Sequence, residues 1–240
     1  MSDLRISIIG YGKMGSLIEH TAVQEGIDIV SRIDPNCPRE SPKIYSTISE
    51  ESVGRADVCI DFTTSDSVLE NIRILASLGK NIVVGTTGWY DHIGEARQIV
   101  ESSNIGLIYS SNFSVGANIY FAVVEKLLKI SKGRGYDLYG IEKHHNEKKD
   151  RPSGTARTLE KMIKEITGEE LDFVSIRAGK IAGIHTVGLD SEYDGIEITP
   201  SAKNRGGFAL GVLLAAEFIK DKKGFYGLED FKKYLLEERK

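Results

Sequence analysis

Residues 5–15 read Arg-Ile-Ser-Ile-Ile-Gly-Tyr-Gly-Lys-Met-Gly, a short β-branched run that leads straight into Gly10-x-Gly12-x-x-Gly15. A helical pattern follows, so the glycines sit in a strand-to-helix turn. There Gly10 makes the tight turn, Gly12 lets the backbone approach a pyrophosphate, and Gly15 lets the helix pack on the strand. A second apolar run, residues 27–33, ends in Asp34, nineteen residues beyond Gly15. An acid at that distance accepts hydrogen bonds from adenosine ribose hydroxyls. Three glycines in a tight turn with no ligand are the competing reading. The preceding strand, the following helix and the spaced acid favour a dinucleotide site.

The same rhythm continues. Apolar runs at 57–62, 81–84 and 106–109 alternate with helical stretches after Ser65 or Asp66, two good caps, and over 91–103. Between Asp34 and these runs, residues 35–42 hold three of the five prolines and read as loop. Strands alternating with helices predict an α/β fold, a Rossmann-type doubly wound parallel sheet, in which ligands collect at the carboxyl ends of the strands. Gly10, Asp34, Thr63, Gly85 and Asn112 all fall at such ends.

The pattern changes after a helix over 117–131. Strand-like runs at 137–143, 173–177, 185–189 and 195–199 surround one helix, 155–167, and predict an α+β domain with a mixed sheet. Two last helices, 208–220 and 228–238, return to the first domain. The expected division is 1–114 with 206–240 for dinucleotide binding, and 115–205 for substrate binding and oligomerisation.

A length of 240 residues accommodates one large α/β unit or two modest domains. A net charge of −4 argues against a general nucleic-acid binder, because phosphate contacts need a basic surface. No apolar stretch approaches the roughly 18 residues of a membrane span. The start lacks a signal peptide's basic and apolar regions, so a cytoplasmic location is expected. Cys37 and Cys59 sit in no metal spacing, and Cys59 lies in an apolar run where an inert core thiol is expected.

The densest chemistry lies in residues 142–156: Glu-Lys-His-His-Asn-Glu-Lys-Lys-Asp-Arg-Pro-Ser-Gly-Thr-Ala. Two imidazoles, three lysines and an arginine precede a turn that opens a helix, whose first N–H groups lack intrahelical partners. This suits a small, multiply anionic substrate that is protonated while it is held. A solvated basic loop with an ordinary N-cap is the plainer alternative. His144 and His145 are adjacent and point to opposite sides of an extended backbone, so they do not chelate one metal together, and no metal site is expected. Lys148 comes back beside one imidazole after a turn, and a neighbouring cation lowers a histidine's pKa towards the working range of a general acid or base. Ser153, Gly154 and Thr155 offer hydroxyls and N–H groups to a carboxylate, although Ser153 also reads simply as an N-cap. His20 and His92 read as surface residues, and His185 as a hydrogen-bonded core histidine. No nucleophile elbow or catalytic cysteine stands out.

Taken together these segments resemble the 4-hydroxy-tetrahydrodipicolinate reductase (dihydrodipicolinate reductase) family of the diaminopimelate route to lysine. The resemblance rests on the Gly10 to Gly15 turn, Asp61-Phe62-Thr63, Gly85-Thr86-Thr87-Gly88 and Ser111-Asn112-Phe113-Ser114-Val115-Gly116. It continues through His144-His145-x-x-Lys148-x-Asp150-x-Pro152-Ser153-Gly154-Thr155-Ala156, Arg177-Ala178-Gly179, Gly183-Ile184-His185-Thr186 and Arg205-x-x-Phe208-Ala209. It covers nearly the whole chain in order, and the His-His segment is specific to this family.

The resemblance implies His144 as the acid/base histidine and Lys148 as its partner donor, with His145, Gly154 and Thr155 holding the substrate's carboxylates. The implied cofactor-binding set is Gly10, Tyr11, Gly12, Lys13, Met14, Gly15, Asp34, Phe62, Thr63, Gly85, Thr86, Thr87, Ser110, Ser111, Asn112, Phe113, Arg205 and Phe208. Residues 85–87 and 110–113 line the nicotinamide side. The implied cofactors are NADH and NADPH, the substrate is a small dicarboxylate and the assembly a homotetramer. Pro35 stands where many relatives carry a basic residue, and Thr64 replaces a frequent arginine. Both losses favour NADH, with Lys13 and Arg39 as the remaining candidate cations. Pro200 stands at an often-histidine position and has no physical account. A different two-domain oxidoreductase acting on an amino or imino acid, and a non-catalytic NADH-binding sensor, are the alternative readings.

Overall fold

The computed structural model describes residues 3–36 and 43–236. The chain divides into two units, Met1–Val115 with Gly206–Lys240, and Gly116–Arg205.

In the first unit, seven parallel strands form one sheet. It is laid out from β1 (Arg5–Ile9), flanked on one side by β2 (Asp28–Ile33) and β3 (Ile44–Tyr45). On the other side come β4 (Val58–Asp61), β5 (Asn81–Val84), β6 (Gly106–Tyr109) and, at the edge, β11 (Gly224–Tyr226). The chain runs outwards in both directions from β1, so the order reverses between β1 and β4, where open α/β sheets bind ligands.

Both faces of this sheet are covered, which is why its strands read as continuous apolar runs rather than alternating ones. Ile6, Ile8, Val58 and Ile60 face α1 (Lys13–Gln24) and α7 (Gly206–Ile219) in one core. Ile9, Cys59, Ile82 and Val84 face α3 (Ser65–Ser77) and α4 (Ile93–Ser102) in the other. Each fully buried isoleucine contributes roughly 1.5–3 kcal/mol. Cys59 is the inert core thiol the sequence led one to expect, its pKa pushed up to about 12 by burial. Helix α8 (Leu228–Leu236) inserts Phe231, whose ring meets Phe113 edge-on with centroids 5.4 Å apart.

Three short elements escape the sequence pattern: β3, β11 and α2 (Glu50–Val53). They have two to four residues each, too few to establish a period. Helix α3 is capped one residue earlier than expected, by Thr64, whose N–H donates to Ser67 Oγ at 3.3 Å. Of the Pro-rich loop, residues 37–42 lie outside the described residues.

The second unit holds a mixed four-stranded sheet in the order β10 (Gly195–Ile198), β9 (Ile184–Asp190), β7 (Asp137–His144), β8 (Val174–Arg177). Only β7 and β8 pair in parallel. One face packs under α5 (Val115–Ser131) and α6 (Gly154–Thr167) through Tyr120, Val124, Leu128, Leu159 and Ile163. Gly140 is required there, because a Cβ would lie 2.7 Å from the Phe173 ring. Val174, Ile176 and Ile196 are exposed.

Candidate active site

In the first unit the Gly10 to Gly15 turn follows β1 directly. Gly10 has φ +86°, and a Cβ on it would lie 2.4 Å from the Phe62 carbonyl oxygen. A Cβ on Gly15 would lie 2.3 Å from the Gly10 carbonyl. Gly12 has nothing within 4 Å of such a Cβ, so its side is open for a ligand. These are the three roles the spacing assigns, and they fit a dinucleotide.

A cavity of about 640 Å³ opens beside this turn, lined among others by Gly10, Gly12, Asp34, Phe62, Thr63 and Asn71. A second, of about 450 Å³, is lined by Gly12, Lys13, Met14, Gly85, Thr86 and Thr87 among others. Phe62 and Thr63 line both. Asp34 is held ready: Oδ2 accepts the Tyr11 N–H at 2.9 Å and Oδ1 the Asn36 N–H at 2.8 Å. Tyr11 is tied through its hydroxyl to Glu19, which also pairs with Arg32. Gly85 is needed because a Cβ would lie 2.0 Å from the Phe62 ring.

Asp61 is a residue the sequence reading quoted without giving it work. It is buried at the end of β4 and accepts from Thr63 N–H (3.0 Å), Thr63 Oγ1 (2.7 Å), Asn71 Nδ2 (2.8 Å) and Thr86 Oγ1 (3.1 Å). Burial raises its pKa against those hydrogen bonds. Asp61 thus fixes two cavity-lining threonines from behind.

The remaining cofactor candidates differ in exposure. After β6, Ser110 Oγ accepts the Asn112 N–H at 3.0 Å and Asn112 Oδ1 the Ser114 N–H at 2.9 Å. Ser111 is exposed. The Phe113 side chain belongs to the core against Phe231. Arg205 is exposed at the end of the second unit, and Phe208 is half-buried in α7. Arg39 lies outside the described residues.

In the second unit, strand alternation builds the other half of the chemistry. Glu142 and His144 are two apart on β7 and share a face. Register sets His185 of β9 and Ser175 of β8 beside Glu142, and Arg177 of β8 beside His144. Glu142 Oε1 accepts from Ser175 Oγ at 2.6 Å and Arg177 Nη2 at 2.7 Å. Oε2 accepts the Ser153 N–H at 3.0 Å and lies 3.6 Å from His144 Nδ1 and 3.7 Å from His185 Nε2. Burial would push the Glu142 carboxyl up, but its bonds from Ser153, Ser175 and Arg177 hold it down at about 2.

His144 has its pKa lowered by burial, with Glu142 opposing and Arg177 and Lys148 reinforcing the drop. Its Nδ1 is buried without a hydrogen-bond partner among the described residues. His185 is lowered further, to about 4, by burial and then by His144. It is the buried, hydrogen-bonded histidine the sequence suggested, bonded to Ser153 Oγ at 2.9 Å. Its ring lies 5.0 Å from that of His144, inside the cluster rather than apart from it. Glu142, Arg177 and this place for His185 were not recognised from sequence. The i, i+2 spacing of Glu142 and His144 was the available signal, and the cross-strand register was not.

Glu142, His144 and His185 each set one donor atom within 4.8 Å of the others, a metal-like spacing that the adjacent pair His144 and His145 does not hint at. Both Glu142 oxygens are already engaged, one by a guanidinium, which favours a hydrogen-bonded network over an ion.

The loop after β7 is fastened to this network. Arg177 donates from Nη2 to the Asp150 carbonyl at 2.6 Å and from Nε to the Lys148 carbonyl at 3.3 Å. Lys148 turns back through its N–H to the His145 carbonyl at 3.2 Å, and its ammonium pairs with Asp150 at 2.8 Å. Ser153 caps α6, accepting the Ala156 N–H at 3.3 Å, an interaction worth about 1 kcal/mol. With His185 on the same oxygen, the Ser153 hydroxyl is committed to the fold. Gly154 and Thr155 supply the first-turn N–H groups, with Gly154 exposed and His145 half-buried nearby in sequence.

Residues 4–113 match the family described as dihydrodipicolinate reductase, N-terminus, and residues 116–231 match dihydrodipicolinate reductase, C-terminus. The chain belongs to the dihydrodipicolinate reductase family. It is 35% identical over 240 residues to the 4-hydroxy-tetrahydrodipicolinate reductase of Christiangramia forsetii, covering 95% of this chain and 97% of that one. Against the enzyme of the same name from Methanocaldococcus jannaschii it is 32% identical over 266 residues, covering 95% and 96%. A solved dipicolinate-bound dihydrodipicolinate reductase from Paenisporosarcina sp. TG-14 superimposes with a TM-score of 0.77 at 25% identity, covering 95% of this chain and 98% of that one. An amine dehydrogenase from Mycobacterium smegmatis, at 11% identity and a TM-score of 0.61, shares the fold alone. The chain is accordingly an NAD(P)H-dependent oxidoreductase of lysine and diaminopimelate biosynthesis, reducing 4-hydroxy-tetrahydrodipicolinate to tetrahydrodipicolinate with loss of water. Among the described residues no helix is long and apolar enough to cross a membrane.

Proposed function

We propose that in this reductase His144 is the proton donor, assisted by Lys148, and that the start of α6 with His145 holds the two substrate carboxylates. The observation that carries the reading is the cluster at the end of β7. A buried imidazole with a lowered pKa and a lysine on the following turn stand close in sequence to the free N–H groups of Gly154 and Thr155. Helix N-termini favour anions by about 0.3–1 kcal/mol each, up to ~2 kcal/mol in partly buried geometries.

The substrate is a cyclic imine with two carboxylates and a 4-hydroxyl. Loss of water gives a conjugated ring. Reduced nicotinamide, when bound, supplies hydride to C4. Gly10, Gly12, Gly15 and Asp34 are the residues that would hold the dinucleotide, with Phe62, Thr63 and residues 85–87 along the nicotinamide side. The neighbouring ring carbon then takes a proton, and His144 delivers it, a contribution of about 10²–10⁴ in rate. Lys148 balances the anionic charge that builds up. The carboxylate clamp orients the ring, which is the entropic share of catalysis.

NADH is the favoured cofactor, because the larger cavity presents Asp34 and, among its described lining residues, no cation. Lys13 lines the smaller cavity, and Arg32 is paired with Glu19. The exposed Val174, Ile176 and Ile196 support a homotetramer built on the second unit's sheet, and the expected setting is the cytoplasm. The test is a coupled assay with freshly generated substrate on wild type and His144→Gln. Undiminished turnover in the variant sinks the assignment of His144.

A further inference from the structure

Glu142 poses a problem. It is a fully buried carboxylate beside a site that receives a dianion, where a negative charge works against binding. A carboxylate retained there needs a task that a neutral residue cannot perform. Its hydrogen-bond inventory identifies one.

Oε1 is saturated by Ser175 and Arg177. Oε2 accepts one N–H, from Ser153, which leaves it one lone pair. Two imidazole nitrogens lie within reach of that lone pair, His144 Nδ1 at 3.6 Å and His185 Nε2 at 3.7 Å. His185 does not take it. His185 Nε2 is already engaged by Ser153 Oγ at 2.9 Å, whichever of the two donates. The lowered pKa of His185, about 4, keeps that ring neutral. Among the described residues this leaves His144 Nδ1, buried and otherwise unpaired, to donate.

We propose that Glu142 is the positioning residue for the acid/base histidine: Oε2 receives the Nδ1 hydrogen of His144 and leaves Nε2 as the nitrogen that exchanges protons with substrate. The 3.6 Å separation closes by a small shift of the ring, as apo-form catalytic hydrogen bonds commonly do on ligand binding. The same logic governs other buried carboxylate–histidine pairs, in which the acid fixes the tautomer without itself becoming protonated. The Nε2 edge faces Gly183, whose missing side chain keeps it clear, since a Cβ there would crowd the nitrogen at 3.1 Å. The charged and titratable groups facing His144 are Glu142 on its own strand, Arg177 on β8, His185 on β9, and Lys148 and Asp150 on the following loop. Of these, Glu142 is the acceptor on the Nδ1 side. The inference rests on His144 as proton donor and adds which nitrogen does the work and what selects it.

The test labels histidine nitrogen and reads the His144 tautomer by long-range nitrogen–proton correlation at neutral pH. His144→Gln assigns the signal. Wild type is expected in the Nδ1–H form. In Glu142→Gln the amide NH₂ turned towards His144 donates to Nδ1, so the Nε2–H form is expected. Its kcat should fall by about 10²-fold while the KM for NADH stays at the wild-type value. Glu142→Asp should recover part of kcat and the Nδ1–H signal. An Nε2–H tautomer in wild type overturns the proposal whether or not the variants fold, and so does a Glu142→Gln enzyme with wild-type kcat and spectrum. If instead His144→Gln turns over normally, the donor assignment itself has failed, a separate outcome.

Discussion

Arg177 Nη2 donates to Glu142 Oε1 at 2.7 Å with both side chains withdrawn from solvent, at 3% and 0% exposure. The same guanidinium holds the carbonyls of Lys148 and Asp150. One cation therefore neutralises the carboxylate under the imidazoles and fastens the loop that carries the partner lysine. Breaking a buried pair from one side typically costs about 3–5 kcal/mol, because the remaining charge is stranded. Arg177→Ala is expected to destabilise the fold by that order, read as a lowered melting temperature. Arg177→Lys keeps the charge but loses the planar fork. It should fold, raise the KM for the dicarboxylate substrate and leave NADH binding unchanged. Wild-type kinetics in Arg177→Lys would show that the loop needs no fork.

Acid should loosen the second unit in two steps. His185 has an ordinary value of 6.5 and a folded value of about 4. Between those values the unfolded chain binds a proton that the folded chain refuses, so stability falls as pH drops from 6.5 to about 4, by on the order of 3 kcal/mol. His144 acts in the same direction. Glu142 is depressed from 4.5 to about 2, so its contribution is complete above 4.5 and is lost as pH falls towards 2. Thermal melts of wild type and His185→Gln across this range check the sign. The variant should flatten the upper step and keep the lower one, and an unchanged upper step would exclude His185 as its source.

Much of the first unit was legible because its cues are local: three glycines at fixed spacing, an acid at the end of β2, apolar runs bounded by turns. The helix start at Ser153 was legible for the same reason. What escaped depended on register. Glu142 sits in a strand where an acid on the apolar face reads as an irregularity until β8 and β9 bring Arg177, Ser175 and His185 alongside it. His185 read as a buried, hydrogen-bonded histidine, but its place beside His144 did not, because Ser153 and Glu142 are 32 and 43 residues away in sequence. The Phe113 motif says nothing of its ring, which fills the core against Phe231.

Gly183 should tolerate no side chain. Its φ of +141° is poorly accessible to other residues, and an added Cβ would stand 3.1 Å from His144 Nε2. Gly183→Ala is expected to lower kcat by about tenfold or more, equivalent to ~1.4 kcal/mol in the barrier, while NADH binding is retained. Fluorescence titration of NADH beside steady-state kinetics separates the two. A fully active variant would mean that the Nε2 edge is not the one approached by substrate.

Pyridine-2,6-dicarboxylate should inhibit competitively and raise the melting temperature, more so with NADH present. It mimics the two charges of the product, and a two-point clamp at Gly154, Thr155 and His145 distinguishes it from benzoate, which has one. Each carboxylate at the start of α6 gains about 0.3–2 kcal/mol before hydrogen bonds are counted. Equal inhibition by benzoate would refute the clamp.

Cofactor choice should turn on Asp34. Both of its oxygens are fixed by backbone N–H groups, so the carboxylate cannot swing away from a 2′-phosphate. At about 4 Å two unit charges repel by roughly 1–4 kcal/mol between water-like and surface-like dielectrics. Among the described residues lining that cavity there is no lysine or arginine to offset this, Pro35 and Thr64 standing where a cation would help. NADH should therefore be used at least as well as NADPH, measured as kcat/KM at fixed, moderate ionic strength because salt screens the effect. Asp34→Asn keeps one acceptor oxygen and removes the charge, and should shift the ratio towards NADPH by about tenfold, the equivalent of ~1.4 kcal/mol. A wild-type preference for NADPH that disappears in Arg39→Ala would show that a cation from the following loop governs the choice and that Asp34 does not.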